Sequence, residues 1–165
     1  MEKKRGLILN CSLLSNVELA QQAIIIKYPK QGKYLIYGLS KIQMGANIAS
    51  EPYIWLNESN SLHELVKQLF FALSQNKSDL PNPIDWKESA SGFLKNAGLK
   101  KKTDLYKDSI HVGVQKKDGI LYFTPTKNQG RKGFVNASNG EIEITENAGI
   151  EEIGKAIQEA FDKCE

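Results

Sequence analysis

Apolar positions along this chain switch from strand-like runs to helical spacing, and they do so twice. Ile24, Ile25 and Ile26 lead to Tyr28, the turn signal Pro29 to Gly32 follows, and Tyr34 to Tyr37 is a second apolar run. β-branched and aromatic runs separated by Pro and Gly predict a hairpin. Pro52 to Leu56 predicts a third strand. Leu62, Leu65, Val66, Leu69 and Leu73 then recur at helical spacing behind a Ser61/Glu64 capping box. The C-terminal half follows the same plan. Ile110 to Val114 and Ile120 to Thr124 flank the turn Asp118-Gly119, Glu141 to Thr145 alternates with Ile142 and Ile144 inward, and Ile150, Ile153, Ile157 and Phe161 line a last helix. Ser15 and Thr103 each open a short helical turn, and Gly6 to Leu9 predicts an N-terminal strand. Leu80 to Pro83 forces an extended connector, after which Asp85 caps a helix from Trp86 to Asn96 that stops at Gly98.

The two halves match residue by residue. Residues 34–74 lie on residues 122–162 at a constant offset of 88, with nine identities in 41 positions, among them Tyr34/Tyr122, Ile54/Ile142, Glu64/Glu152 and Ala72/Ala160. Ordinary amino-acid usage gives roughly two or three by chance. The pattern predicts one α+β domain over residues 1–165, internally duplicated, with halves at about 11–77 and 99–165. Its sheet of six or seven strands is largely antiparallel, helices pack on it, and a pseudo-two-fold axis relates the halves.

The duplication sharpens one question of surface. If Ile54 and Leu56 face the core as Ile142 and Ile144 do, then Tyr53 and Trp55 point where Glu141 and Glu143 point, because side chains alternate along a strand. Either this aromatic pair is exposed and anchors an interface, or another segment, the N-terminal strand or the Trp86 helix, covers it.

Composition excludes several classes. Hydrophobic residues make up 41% and charged residues 25%, ordinary for a soluble globular protein. No apolar run approaches the ~20 residues of a membrane span. The stretch Gly6 to Leu9 faintly imitates a secretory signal, but its apolar core stops at Asn10. The reading is a cytoplasmic protein with Cys11 and Cys164 as reduced thiols. The net charge of +3 is segregated: residues 1–50 carry +5, 51–85 carry −3, 86–132 carry +7 and 133–165 carry −6. Packing such segments predicts distinct basic and acidic faces.

No catalytic constellation is present: no nucleophile elbow, no zinc-protease helix, no Walker loop and no CxxC pair. The chain reads as a non-enzyme without cofactor or metal. His63, which has Glu151 as its counterpart, and His111, in a strand, are expected on the surface. The loop from Thr124 to Phe134 has two readings. Gly130 and Gly133 bracket Arg131 and Lys132, with Lys127 nearby, so it either cradles a phosphate or is a solvated connection.

The segment from Tyr122 through Thr124-Pro125-Thr126, Asn128, Gly130 and Gly133-Phe134, then Ile142 to Ile144 and the helix Ile150 to Phe161 ending near Cys164, resembles a known family. These are the immunity proteins of bacterial contact-dependent growth inhibition systems, the CdiI type. Trp86, Gly98 and Leu105 to Lys107 also fit that pattern. The resemblance covers about the last half of the chain. It implies a cytosolic antitoxin that binds and neutralises, one to one, the C-terminal toxin domain delivered by a neighbouring cell; many such toxins are nucleases. The candidate toxin-binding residues are Tyr53 and Trp55 as anchors, with Glu141, Glu143, Glu151, Glu152, Glu159 and Asp162 as phosphate-mimicking charges. A net +3 chain fits a basic nuclease only through such local acidic patches. The alternative is an RNA-binding or RNA-associated protein using Lys100 to Lys102 and Lys127, Arg131 and Lys132. A scaffold with a peptide groove between the halves is a third reading.

Overall fold

The computed structural model describes residues 19–138 and 140–165. The strand foreseen at Gly6 to Leu9 and the turn opened by Ser15 lie outside those residues. The described chain runs β1 (Gln21–Tyr28), β2 (Lys33–Lys41), β3 (Asn47–Asn57), α1 (Leu62–Ser74), α2 (Trp86–Asn96), α3 (Thr103–Tyr106), β4 (Ile110–Lys117), β5 (Ile120–Asn128), β6 (Phe134–Asn136), β7 (Ile142–Thr145) and α4 (Ile150–Asp162). The seven strands form one sheet in the order β3-β2-β1-β4-β5, with β6 and β7 both pairing along β5. Every strand pair is antiparallel. The fold is α+β, as the hydrophobic rhythm implies.

One face of the sheet carries α1 and α4. Leu65, Val66, Leu69 and Leu73 of α1 and Ile153, Ile157 and Phe161 of α4 pack on Ala23, Ile25, Ile36, Val112, Leu121 and Phe123. Each large side chain so buried contributes roughly 1.5–3 kcal/mol. The two helices come close at Gly154, where an added Cβ would stand 3.0 Å from the Leu62 Cβ. Ser61 caps α1 by accepting from the Glu64 N–H, but the Glu64 carboxylate accepts from Gln68 instead of reaching back. Asp85 caps α2 through the Lys87 and Glu88 amides. Thr103 is the first residue of α3, not its cap, and Asp104 instead accepts from the Lys100 and Lys101 amides.

The offset of 88 holds for the third strand and helix of each half and fails for the first hairpin. Ile54/Ile142, Leu56/Ile144, Leu65/Ile153, Leu69/Ile157, Ala72/Ala160 and Leu73/Phe161 all belong to the helix-side core. Tyr34 and Ile36 also face the helices, but in β5 it is Leu121 and Phe123 that do so. Tyr122 points to the other face with its partner Glu143. The cause lies between the second and third strands: Tyr34 pairs with Leu56, 22 residues on, while Leu121 pairs with Ile144, 23 residues on. A displacement of one residue reverses every side chain in a strand. The Tyr34/Tyr122 identity therefore places two tyrosines on opposite faces. A single gapless register does not describe the two halves.

Candidate partner-binding face

The second face of the sheet is half covered. Phe93 and Ala97 of α2, with Leu99 and Leu105, pack over Ile26, Tyr28, Leu35 and Tyr37 of β1 and β2. Trp55 lies under this cover. Its indole Nε1 donates to the Ala97 carbonyl at 2.9 Å, its ring packs on Tyr28, and the Lys33 ammonium sits 4.4 Å from its centroid. Tyr53 packs against Tyr37 and Phe93. Both are half-buried. The Trp86 helix thus takes the covering role, one of the two alternatives open to this pair.

The rest of that face is open. Ile24, Leu39, Gly113, Gln115 and Thr124 form the floor and sides of a groove of about 300 Å³. Gly113 pairs with Ile24 on one side and Thr124 on the other, so its missing side chain is the low point of the floor. One end is closed by Phe134, whose ring stacks on His111 with centroids 3.3 Å apart. Glu143 pairs with Tyr122 at the β7 margin, and Glu141 accepts from the Thr124 hydroxyl at 2.7 Å. Both carboxylates are exposed on this face. Glu151, Glu152, Glu159 and Asp162 lie on the outer side of α4, on the far side of the sheet, where Glu159 pairs with Lys163. The structure therefore places the acidic candidates in two groups, on the two faces of the domain.

The Thr124 to Phe134 segment builds the closed end of the groove. Thr126 Oγ1 donates to the His111 carbonyl. The Asn128 amide donates to the Tyr106 and Ser109 carbonyls at 2.7 and 2.9 Å, and its Oδ1 accepts from the Gly130 N–H. The Lys132 and Gly133 amides bond Gln129 and Gly130 carbonyls, and Lys127 pairs with Glu165. The N–H groups of Gly130, Lys132 and Gly133 in this loop are thus taken by the chain's own acceptors. The loop fastens the α3–β4 connection to the end of β5.

His111 is not on the surface; it is 5% exposed. Its Nε2 donates to the Leu105 carbonyl. Burial pushes its pKa down to about 3, against a smaller opposing effect of that carbonyl. A depressed folded-state pKa means that the unfolded chain takes up the proton first. Stability is therefore full above the ordinary histidine pKa and falls as the pH drops from about 6.5 toward 3. The expected loss between pH 6.5 and 5 is up to about 2 kcal/mol. Urea denaturation of wild type and His111→Gln across that range checks it, since the variant lacks this component and its stability should fall less steeply with acidification.

Sequence reasoning raised a groove between the halves only as a third reading and named no residues for it. Its signal is β4 itself, where His111, Gly113 and Gln115 alternate with Val112 and Val114. One side of that strand has little to bury. Among the described residues, no group of three His, Cys, Asp or Glu side chains could hold a metal ion, and no helix is long and apolar enough to cross a membrane.

The CDI immunity protein family model matches residues 39–164. Two solved structures share the fold at low identity. A protein of unknown function from Neisseria meningitidis, NMB0488, is 16% identical over 91% of this chain and 98% of its own, with a TM-score of 0.72. A chain of the CdiA-CT/CdiI toxin and immunity complex from Yersinia pseudotuberculosis is 12% identical over 91% of this chain and 100% of its own, with a TM-score of 0.73. No curated protein matches the chain. The family match runs from the end of β2 through α4 and takes in the β4 and β5 side of the groove and the loop that closes it, so this chain belongs to the CDI immunity protein family.

Proposed function

We propose that this protein is a cytoplasmic antitoxin that binds the C-terminal toxin domain of a contact-dependent growth inhibition system, a nuclease, one to one, and blocks it without chemistry of its own. The family membership supports the role, as does the toxin and immunity complex that shares the fold. The observation that carries the choice of surface is the open groove over Gly113, flanked by Glu141 and Glu143. From β3 to β7 the face spans five strand spacings, about 24 Å, close to the width of a standard interface of roughly 800 Å² per partner. The groove takes an apolar or backbone element of the toxin, while Glu141 and Glu143 meet cationic groups of its substrate site and mimic phosphate. Tyr53 and the half-exposed Trp86 lie at the β3 end of the same face. Trp55 serves the fold rather than the interface.

Glu141→Gln/Glu143→Gln should fold normally and slow association with the toxin domain by about three- to tenfold, with a flatter salt dependence. Stopped-flow association at two ionic strengths measures this, with inhibition of nucleic-acid cleavage by the toxin as the functional readout. An unchanged association rate would remove these carboxylates from the interface.

A further inference from the structure

A second cavity, of about 420 Å³, opens at the other end of the covered half, beyond α3. Lys30, Lys33, Lys100 and Lys107 line it, against the carboxylates Asp104 and Asp108. Lys30 pairs with Asp108 at 3.0 Å. Among the described residues, the ammonium groups of Lys33, Lys100 and Lys107 have no carboxylate partner. The inner wall is Trp55 and Leu99. Tyr28 also lines the cavity; it is 2% exposed and its hydroxyl has no hydrogen-bond partner among the described residues. Burial and the nearby Asp104 push that phenol up to about 12, so it remains a neutral donor. A buried polar group left unmatched calls for an explanation.

The chemistry of the wall narrows the ligand. Three lysines at one mouth, without a carboxylate partner among the described residues, favour an anion, and lysine binds phosphate as a point charge. A bare anion is repelled by Asp104 and Asp108, whereas sugar hydroxyls donate to carboxylates. The indole and Leu99 offer a surface to a ring. The volume lies within the range of small-molecule sites.

We propose that this cavity binds a small sugar phosphate with a ring body, a nucleoside monophosphate being the test case. Its phosphate sits among Lys33, Lys100 and Lys107, its hydroxyls face Asp104 and Asp108, and its ring lies toward Trp55 and Leu99. The site is separate from the groove over Gly113 and does not depend on toxin binding.

The experiment is an NMR titration of the full, isotope-labelled chain with adenosine 5′-monophosphate, and separately with adenosine, inorganic phosphate and a short single-stranded RNA. The monophosphate should shift the Trp55 indole N–H and the amides of residues 98–101 and 107–108, with saturation in the millimolar range. Adenosine and phosphate should each bind about tenfold more weakly. Lys33→Ala/Lys107→Ala, checked for folding because Lys33 also sits over the Trp55 ring, should weaken the monophosphate about tenfold. RNA that binds no better than the monophosphate supports a small-molecule site; RNA that binds far more tightly, with shifts spread along the basic surface, overturns it. No shift at these positions, or equal binding by the double variant, overturns it as well.

Discussion

Leucine in place of Gly113 should leave the domain folded and weaken toxin binding by about a hundredfold, close to 3 kcal/mol. Position 113 lies in β4 with an ordinary strand backbone, and an added Cβ would meet Thr124 at 3.7 Å, a normal contact. Glycine in a strand interior is itself unfavourable, so a side chain there costs the fold little. It does fill the floor of the groove between Ile24 and Thr124. A partner element seated there loses its place, and steric loss at the centre of an interface is far larger than loss at its rim. Urea denaturation should give an unfolding free energy equal to or above wild type, while cells carrying the variant lose protection against the toxin. A folded Gly113→Leu protein that still protects fully would place the interface elsewhere.

Asn128→Ala should lower the unfolding free energy by about 3 kcal/mol. Its amide serves the carbonyls of Tyr106 and Ser109 and accepts from Gly130, so one side chain satisfies three backbone groups. Removing one partner of a part-buried hydrogen bond costs about 1–3 kcal/mol, and three are lost together. Asn128→Asp separates the donor from the acceptor function: it keeps the Gly130 bond and sets a carboxylate against two carbonyls, so it should be at least as destabilising as alanine at neutral pH. The Thr126 bond to the His111 carbonyl and the Phe134 stack are the neighbouring ties. A loss below about 1 kcal/mol for both variants would mean that the loop is not what fastens the α3–β4 connection.

Much of this architecture was legible from periodicity. The hairpins, third strands and amphipathic helices fall where the apolar runs put them, because each element's pattern matches its own period. What a linear pattern does not carry is facing across a change of spacing between strands. Tyr34 and Tyr122 align in sequence yet point to opposite faces, because one more residue separates the paired positions of β5 and β7 than those of β2 and β3. Burial by a distant segment is equally hidden: Trp55 is roofed by Ala97, 42 residues away, and His111 by Leu105 and Phe134. The acidic candidates share one charge pattern in sequence and separate onto two faces in space. The groove was invisible as a motif, since its floor is an absence, Gly113, that only the packing around it reveals.

On the proposed reading, the open face over Gly113, and not the outer face of α4, meets the toxin. The most direct measurement is the affinity of the purified toxin domain for three forms of the chain: wild type, Gly113→Leu, and a variant with Glu151, Glu152, Glu159 and Asp162 changed to their amides, all shown to be folded. Gly113→Leu should lose about a hundredfold in affinity and the α4 variant less than about threefold, under roughly 0.7 kcal/mol. Near-wild-type affinity of Gly113→Leu together with a large loss in the α4 variant would contradict that reading.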